Sequence, residues 1–467
     1  MWDFDKYSNN IALISENNLF TYKNLLDFTK ELNSKKKLRS LILFICDNSL
    51  SSYLGYISFL FNNDVQIIID ENNKNNYHDI IRKYKPNYIW CRKKISLEMK
   101  VELISKFNFN NYNLYELNNK NVKLHKELLL LCTSSGTTGN PKFIKQSQKN
   151  IFSNTKSIIK YQNLNNSYTS ITTLPLSYTF GMSCINTLLT VGAKIVISNH
   201  SLLQKEFWQI FKKHEITILN GVPFTYNILE KLKFFNKPNN IKIFTQAGGK
   251  LSDYMQLKIS KFCRNNKSKF FIMYGQAEAT TRISYLPSKY SIKKIGSAGI
   301  PVDGGKIKIL NNNLKLIRKK NIVGDIHYNG PNVCMGYSFA QNDLKKNYEW
   351  KNGIITGDIG KIDEENFLYI TGRKKRFAKL YGLSINLDDI EKIILQSYDN
   401  IDVASISEKD KIIVFYNKKI LKLKILKLLS NKININQKSF ELFFIKKISK
   451  LNNGKTDYQD LKSRYLS

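Results

Sequence analysis

Short apolar runs alternate with longer amphipathic stretches through roughly the first 370 residues of the chain. The runs are rich in β-branched residues, as in Gln66–Asp70, Lys194–Ser198 and Ile216–Leu219. A strand that is buried on both faces of a parallel sheet has this nearly continuous apolar character, and the stretches between the runs have helical spacing. The pattern therefore predicts an α/β architecture with buried, largely parallel strands.

A segment rich in glycine and charge, Thr371–Arg376, interrupts this alternation, and a shorter lysine-rich region follows it. We therefore predict a domain boundary near Lys374, with one domain over residues 1–373 and another over residues 374–467. The predicted fold class is α/β. It consists of a large N-terminal α/β domain with mixed sheets and helices, and a small C-terminal α+β domain.

The composition predicts a large core and no membrane span. Of the 467 residues, 42% are hydrophobic and 12% are aromatic, which argues against global disorder. The apolar runs are far shorter than the roughly 18 residues that a membrane-spanning helix needs. The acidic N-terminus does not resemble a signal peptide, and the six cysteines are scattered as in reduced proteins. These features predict a cytoplasmic protein without a transmembrane segment.

The net charge is +36, from 73 basic and 37 acidic side chains. The lysines are spread along the whole chain among many asparagines and isoleucines, a pattern that fits an AT-rich coding bias and a solvated surface. An acidic protein partner is a second explanation, and nucleic acid or an acidic membrane is a third. The sequence contains no RNA-recognition motif, zinc-finger spacing or basic zipper, so we predict no nucleic-acid partner.

The segment Leu128–Lys142 has the most specific chemistry. An apolar strand leads into hydroxyl side chains and two glycines, and Lys142 follows Pro141. Glycines let backbone N–H groups approach phosphate oxygens, hydroxyls add donors, and the lysine adds a positive charge. The spacing differs from a Walker A loop, which has four residues between its glycines. We predict a triphosphate-binding loop of another kind, formed by Thr133, Ser134, Ser135, Gly136, Thr137, Thr138, Gly139 and Lys142.

This string resembles the phosphate-binding signature of the adenylate-forming (AMP-binding) superfamily, which holds acyl-CoA synthetases, peptide-synthetase adenylation domains and firefly luciferase. The similarity continues in order from about Glu127 to Leu461. The resemblance implies an enzyme that uses ATP and Mg²⁺ to convert a carboxylic acid into an acyl-AMP. The acyl group would then pass to the thiol of CoA or of phosphopantetheine, and the small C-terminal domain would move between the two steps.

Two further segments resemble the nucleotide-binding motifs of the superfamily. Tyr274–Glu278 follows an apolar strand and is similar to Tyr-Gly-x-Thr-Glu, although Ala277 replaces the usual threonine. Gln246–Leu251 is similar to a small-residue turn that lines the adenine and acyl pocket. The resemblance implies that Tyr274 packs on adenine, that Glu278 binds Mg²⁺, and that Gly248, Gly275 and Gln276 contact the nucleotide.

The C-terminal third carries three more similar segments. Gly353–Asp358 resembles Thr-Gly-Asp, and Gly372–Ile385 resembles the segment that joins the two domains. Ser449–Tyr458 resembles Pro-Lys-Thr-x-x-Gly-Lys, with serine and leucine in place of the proline and threonine. The resemblance implies ribose contacts for Asp358 and Arg373, a hinge at Lys375, a thioester-step loop containing Gly382, and a catalytic lysine at Lys455, which acts together with Glu278 and Lys142.

The acid-binding pocket is less specific. Leu174–Met182 resembles Pro-Leu-x-His-x-x-Gly, with Tyr178 at the histidine position and Phe180 and Gly181 beyond it. These three residues are candidates for the acyl pocket, and plain core packing explains Tyr178 and Phe180 equally well. Amino-acid-activating relatives place an aspartate in this region, whereas residues 174–190 contain no acidic side chain. This favours a fatty, aryl or other non-amino acid.

Taken together, the motifs predict an acid–thiol ligase that acts on a small-molecule carboxylic acid. The excess of basic residues adds the hypothesis that the thiol belongs to an acidic acyl carrier protein. Two alternatives stay open: an amino-acid-activating ligase that loads a carrier protein, and a non-catalytic adenylate-binding relative. Retention of Lys142, Glu278, Asp358, Arg373 and Lys455 argues against the second.

Overall fold

The computed structural model describes residues 2–16, 18–72, 77–94, 104–119, 122–133, 142–380, 383–408, 411–419, 422–433, 435–451 and 455–465. The α/β class predicted from the sequence is confirmed. The helices are α1 Tyr22–Ser34, α2 Leu50–Phe61, α3 Tyr77–Tyr84, α4 Gln148–Gln162, α5 Thr179–Thr190, α6 Lys205–Lys213, α7 Pro223–Lys231, α8 Asp253–Asn265, α9 Leu387–Ser397, α10 Lys422–Ile433 and α11 Tyr458–Tyr465.

The strands alternate with these helices through the first part of the chain. They are β1 Ile11–Ser15, β2 Asn18–Thr21, β3 Leu41–Cys46, β4 Val65–Asp70, β5 Tyr88–Arg92, β6 Ile104–Phe109, β7 Tyr112–Glu116, β8 Leu128–Thr133, β9 Phe143–Ser147, β10 Thr169–Ile171, β11 Lys194–Ile197, β12 Ile218–Gly221, β13 Ile243–Gln246, β14 Lys269–Tyr274, β15 Ser284–Leu286, β16 Ile300–Pro301, β17 Lys306–Leu310, β18 Gly324–Asn329, β19 Gly336–Ser338, β20 Ile354–Ile362, β21 Leu368–Arg373, β22 Phe377–Leu380, β23 Leu383–Asn386, β24 Val403–Glu408, β25 Lys411–Tyr416 and β26 Phe440–Phe444.

The chain divides into two compact units. The first comprises Met1–Ile307 and Tyr328–Ile354, and the second comprises Lys308–His327 and Ile355–Ser467. The boundary predicted near Lys374 lies within the second unit, so the division into residues 1–373 and 374–467 stays a prediction.

Two mixed sheets form the frame of the first unit. The nine-stranded sheet has the order β16-β15-β14-β13-β12-β10-β11-β1-β2, and its strands from β14 to β1 are parallel neighbours. The eight-stranded sheet has the order β19-β9-β8-β4-β3-β5-β7-β6, with parallel pairing of β3 with β4 and of β4 with β8. The central strands are buried on both faces, which explains their nearly continuous apolar sequences.

One hydrophobic cluster connects side chains of both sheets in this unit. It includes Leu13 of the larger sheet, Phe44 of the smaller sheet, and most of α2, which is buried from Leu50 to Leu60. A helix that is apolar on all sides belongs in an interior of this kind. Gly55 allows α2 to approach Trp90, since a Cβ atom at Gly55 would lie 2.3 Å from the indole nitrogen.

The second unit contains smaller sheets. A four-stranded sheet has the order β17-β18-β20-β21, β22 and β23 form a hairpin, and β24, β25 and β26 form a three-stranded sheet. Helices α9 and α10 supply Ile390, Ile394 and Leu429 to the core on one face of the three-stranded sheet.

All six cysteines are free thiols, as predicted, and five of them are buried. Within the described ranges, none of the helices has the length and apolar character that crossing a membrane requires.

Candidate functional site

The predicted phosphate loop connects two adjacent strands of the eight-stranded sheet. Thr133 ends β8, and its register partner across the antiparallel pair is Phe143, the first residue of β9. Lys142 immediately precedes β9 and is half-buried. The loop between them therefore begins at the end of β8 and ends at the start of β9. Of the predicted phosphate-binding residues, Ser134, Ser135, Gly136, Thr137, Thr138 and Gly139 lie outside the described residues.

Lys142 and Glu278 are brought together by Tyr337, whose role the sequence reasoning missed. The Lys142 Nζ lies 4.1 Å from the centroid of the Tyr337 ring, and the Tyr337 hydroxyl donates to Glu278 Oε1 over 3.0 Å. Strand β19 places the tyrosine here, because Tyr337 is the register partner of Ile144 in β9. Burial, and secondarily Glu278, raises the pKa of the Tyr337 hydroxyl, which stays protonated and available as a donor.

The backbone around Glu278 is held on both sides. The Cys334 N–H donates to the Glu278 carbonyl over 3.0 Å, and Gln146 Nε2 donates to the Ala277 carbonyl over 3.1 Å. Gly275 follows the end of β14, and a Cβ atom there would lie 1.6 Å from the Thr281 carbonyl oxygen. Only glycine permits this close approach of two backbone segments. The path of the chain from β14 therefore fixes the position of the Glu278 carboxylate.

Glu278 is a suitable ligand for Mg²⁺ that arrives with a nucleotide. Within the described ranges, no three His, Cys, Asp or Glu side chains cluster in a way that could hold a metal ion. Mg²⁺ is usually bound by one or two carboxylates together with substrate phosphates and water. A lone carboxylate 3.0 Å from a phenol donor, with a lysine ammonium on the same ring, fits this use.

The candidate acyl-pocket residues lie at the start of α5. Tyr178 immediately precedes this helix, at the N-cap position, and the centroids of the Tyr178 and Phe180 rings are 6.2 Å apart with an interplanar angle of 70°. Gly248, with φ of +83°, lies against Tyr178, because a Cβ atom at Gly248 would be 2.6 Å from the tyrosine hydroxyl oxygen. Gly181 is equally close to the backbone, since a Cβ atom there would lie 2.4 Å from the Pro175 carbonyl oxygen. The structure therefore brings the residues proposed from two separate motifs into one place.

A buried arginine, also missed in the sequence, lies beside Phe180. Arg282 is 2% exposed, and its guanidinium carbon lies 4.2 Å from the centroid of the Phe180 ring. Its Nε donates to Met273 Sδ over 3.2 Å. The only signal in the sequence was a charged residue four positions after Glu278 and two positions before β15.

The second unit contains the two predicted ribose-binding residues. Asp358 in β20 and Arg373 in β21 are register partners across an antiparallel pair, and Arg373 Nε donates to Asp358 Oδ1 over 2.8 Å. The Asp358 side chain is 4% exposed and that of Arg373 is 54% exposed. The pair is a charge-assisted hydrogen bond that orients the carboxylate while the arginine stays accessible to solvent.

The predicted hinge lies in a short turn between β21 and β22. Lys375 is the central residue of the turn Lys374–Arg376. On one side, Lys374 Nζ pairs with the buried Asp325 at 2.8 Å. On the other, Arg376 Nη2 pairs with Glu391 at 2.6 Å. The turn is thus fixed at both ends, and the assignment of Lys375 as a hinge stays a prediction. Gly382 lies outside the described residues.

Lys455 lies in an irregular segment just before α11. Its carbonyl accepts from the Leu451 N–H over 2.7 Å, and Lys450 and Thr456 form an isolated antiparallel bridge around it. The side chain is half-buried. The catalytic role of Lys455 remains a prediction from the motif.

Comparisons with known proteins agree with this description. A family model described as AMP-binding enzyme matches residues 64–338, which is more than half of the chain. A 2-succinylbenzoate–CoA ligase from Bacillus licheniformis is 27% identical over 280 residues, 59% of this chain and 56% of the ligase. A luciferin 4-monooxygenase from Luciola mingrelica is 26% identical over 298 residues, 62% of this chain and 53% of that protein. The matched part thus spans only about half the length of these curated relatives.

Solved structures show the same fold over nearly the full chain. O-succinylbenzoate coenzyme A synthetase (MenE) from Bacillus subtilis in complex with AMP superposes with a TM-score of 0.76 at 19% identity, covering 99% of this chain and 96% of that one. ATP-bound MatB from Rhodopseudomonas palustris gives a TM-score of 0.79 at 17% identity, covering 99% and 97%. By its sequence match, the chain belongs to the AMP-binding enzyme family.

Proposed function

We propose that this protein joins a carboxylic acid to ATP, releasing pyrophosphate and forming an acyl-AMP, and then transfers the acyl group to a thiol. The observation that supports this most directly is the linked set of Lys142, Tyr337 and Glu278. In this set a carboxylate is linked through a tyrosine to the lysine at the end of a Gly/Ser/Thr-rich loop. Membership of the AMP-binding enzyme family supports the same reaction class.

In this proposal the first unit binds the phosphates and the acid. Lys142 and the hydroxyls that begin at Thr133 bind phosphate oxygens, while Glu278 holds Mg²⁺, which neutralises phosphate charge when bound. Tyr274 and Gln276 contact the adenine side of the nucleotide. The reaction needs no general base, because a carboxylic acid is already ionised at neutral pH. Catalysis then consists of positioning two anions and neutralising their charge.

The second unit supplies the remaining groups. Asp358 accepts hydrogen bonds from the ribose hydroxyls, and Arg373 holds that carboxylate in place. Lys455 stabilises the charge that develops between the carboxylate and the α-phosphate as pyrophosphate leaves. Rotation at Lys375 then exchanges Lys455 for the segment around Gly382, and the thiol of CoA or of phosphopantetheine reaches the acyl-AMP.

The acid is proposed to be a non-amino acid, since residues 174–190 offer no carboxylate for an ammonium group. The acyl pocket would be formed by Tyr178, Phe180 and Gly181. The acceptor is proposed to be either CoA or an acidic acyl carrier protein, and the net charge of +36 supports the carrier through faster encounter at low salt.

The test is a pyrophosphate-release assay with ATP and Mg²⁺ over fatty, aryl, dicarboxylic and amino acids, with 2-succinylbenzoate included and with CoA present or absent. Acid-dependent release of pyrophosphate with AMP as the other nucleotide product is expected. Failure of every acid to release pyrophosphate from a folded, ATP-binding protein would contradict the proposal.

The acceptor is tested by comparing CoA with a phosphopantetheinylated carrier protein across a range of salt concentrations. If the carrier is the acceptor, its acylation outpaces that of CoA and slows steeply from low to physiological salt. Faster acylation of CoA, or carrier acylation that does not depend on salt, would exclude the carrier and leave the charge without a role in acceptor binding.

A further inference from the structure

Arg282 is a buried cation for which the described residues provide no counter-charge. The residue is 2% exposed and is among the largest fully buried side chains. Within the described ranges, its Nη1 has no hydrogen-bond partner and no carboxylate lies within ion-pair distance. Its side chain stacks on Phe180, donates from Nε to the Met273 sulfur, and lies beside the Tyr161 hydroxyl and the Cys184 thiol. None of these groups supplies a negative charge.

Loss of a proton does not remove the charge, because arginine side chains keep their proton in proteins. Buried charges are normally paired with an opposite charge or satisfied by several hydrogen bonds. The ionisable groups beside Arg282 stay neutral: burial raises the pKa of Tyr161 to about 12 and that of Cys184 to about 11. The folded protein therefore carries an uncompensated positive charge, which favours the binding of an anion.

The surroundings of Arg282 provide further polar groups and some space. Arg282 lines a cavity of about 10 Å³ together with Ser183, Thr187 and Asn220. A second cavity of about 20 Å³ shares Cys184, Leu188 and Asn220 with it and reaches Gly181. Each holds about one water-sized group. Gly181 lines the second cavity, and Phe180 stacks on Arg282, which lines the first. Both residues belong to the three proposed to form the acyl pocket.

We propose that Arg282 binds a second carboxylate of the acid substrate, so that the enzyme prefers dicarboxylic acids. This inference rests on the proposed adenylating function. Guanidinium nitrogens bind a carboxylate in a bidentate manner, and the pair would supply the missing negative charge. A carboxylate is larger than either cavity, so Phe180 or Met273 changes rotamer when the acid binds, as interface side chains commonly do.

Other acids fit this environment less well. The hydrocarbon tail of a fatty acid would bury the guanidinium further without compensating its charge. The ammonium group of an amino acid would be repelled by it. A site built to pair with a polar group rejects analogues that lack the group, often by factors of about 10⁴. A dicarboxylic acid should therefore exceed its matched monocarboxylic acid by at least about 100-fold in kcat/KM.

The first experiment measures pyrophosphate release by the wild-type protein with matched acids. The dicarboxylic series from malonate to adipate, and 2-succinylbenzoate, are each compared with the acid in which a methyl group or hydrogen replaces one carboxylate. Preference for a dicarboxylic acid supports the inference. Release with monocarboxylic acids and not with dicarboxylic acids would overturn it while leaving the proposed function intact. No release with any acid would contradict the proposed function itself.

The second experiment uses Arg282→Met, with Arg282→Lys as the conservative variant and Arg264→Met as the control. Arg264 is exposed on α8. Replacing an unpaired buried charge by an apolar side chain is compatible with folding. Arg282→Met should reduce the preference for the second carboxylate at least about 100-fold, Arg282→Lys should retain part of it, and Arg264→Met should not change it.

Binding gives a readout that does not depend on turnover. The preferred dicarboxylic acid should raise the Tm of the wild-type and Arg264→Met proteins and not that of Arg282→Met. An unchanged acid preference in Arg282→Met, or equal stabilisation of all three proteins, would show that Arg282 only packs on Phe180 and would overturn the inference.

Discussion

Arg373 donates from Nε to Asp358 Oδ1 over 2.8 Å across the antiparallel pair of β20 and β21. The two residues came from separate sequence segments, yet the strand register makes them direct neighbours. Asp358 is buried and Arg373 reaches solvent, so the arginine holds a carboxylate that has lost most of its hydration. The pair is thus suited to bind a neutral diol such as a ribose, because the carboxylate is already oriented before the nucleotide arrives.

Replacing Asp358 by alanine should therefore weaken nucleotide use. Loss of hydrogen bonds to a charged group costs about 1.5–3 kcal/mol, which corresponds to a fall of roughly 10- to 100-fold in kcat/KM for ATP. With 2′-deoxy-ATP as the substrate, the same substitution should lower kcat/KM by a smaller factor, because one ribose hydroxyl is already absent. Lys319→Ala, in an exposed turn, serves as the control. Equal losses with ATP and 2′-deoxy-ATP would contradict the ribose assignment.

Tyr337→Phe tests whether the phenol positions Glu278. The phenylalanine ring still stacks under Lys142, while the hydroxyl that donates to Glu278 is lost. Partners of metal-binding side chains commonly change metal affinity by about 10- to 100-fold when removed. We expect a shift of this size in the Mg²⁺ concentration that gives half-maximal pyrophosphate release. An unchanged Mg²⁺ dependence in the folded variant would show that the hydroxyl does not act on Glu278.

Gly275→Ala should destabilise the first unit as well as the site. The added methyl group would lie 1.6 Å from the Thr281 carbonyl oxygen, so β14 and the following segment would have to separate. Forced overpacking typically costs about 1–3 kcal/mol in the free energy of unfolding. Chemical denaturation measures this. The matched control is Gly249→Ala, where the nearest atom to the added methyl is the Pro223 Cγ at 3.2 Å. Equal stability of the two variants would contradict the steric argument.

The buried pair of Asp64 and Lys36 gives a prediction for pH. Burial raises the pKa of Asp64 to about 6, although the positive charge of Lys36 lowers it in part. Because the folded-state pKa is raised, the contribution of Asp64 to stability is fully present below the ordinary value near 3.8 and is lost as pH rises through about 6. The free energy of unfolding should therefore fall over this window. In Asp64→Asn that fall should disappear, and a fall of the same size would contradict the prediction.

The sequence predicted the strands well because burial on both faces leaves a local apolar signature. The runs Gln66–Asp70 and Lys194–Ser198 both coincide with observed strands to within one residue, since β4 is Val65–Asp70 and β11 is Lys194–Ile197. The strand predicted at Ile216–Leu219 was less accurate, since the observed strand is Ile218–Gly221. The spacing within each motif also allowed candidate residues to be named, because family motifs are local.

The contacts between motifs could not be predicted, because they depend on sheet register and on burial. Nothing local indicates that Tyr337 reaches Glu278, since β9 and β19 pair across more than a hundred residues of sequence. Likewise, Arg282 looks like an ordinary polar residue in a turn, and only the structure shows that it is buried without a counter-charge. Tertiary packing, and not composition, determines both relationships.

The most direct test of the adenylation proposal is acid-dependent exchange of labelled pyrophosphate into ATP, measured for the wild type, Lys455→Ala and Lys450→Ala. Lys450 is an exposed lysine five residues earlier, and it serves as the matched control. Exchange is expected in the wild type and in Lys450→Ala. In Lys455→Ala a loss of roughly 10²- to 10³-fold is expected, with ATP binding retained, because the substitution removes a group that stabilises transition-state charge. Near-normal exchange by Lys455→Ala, or exchange by the wild type that does not require an acid, would contradict the proposal.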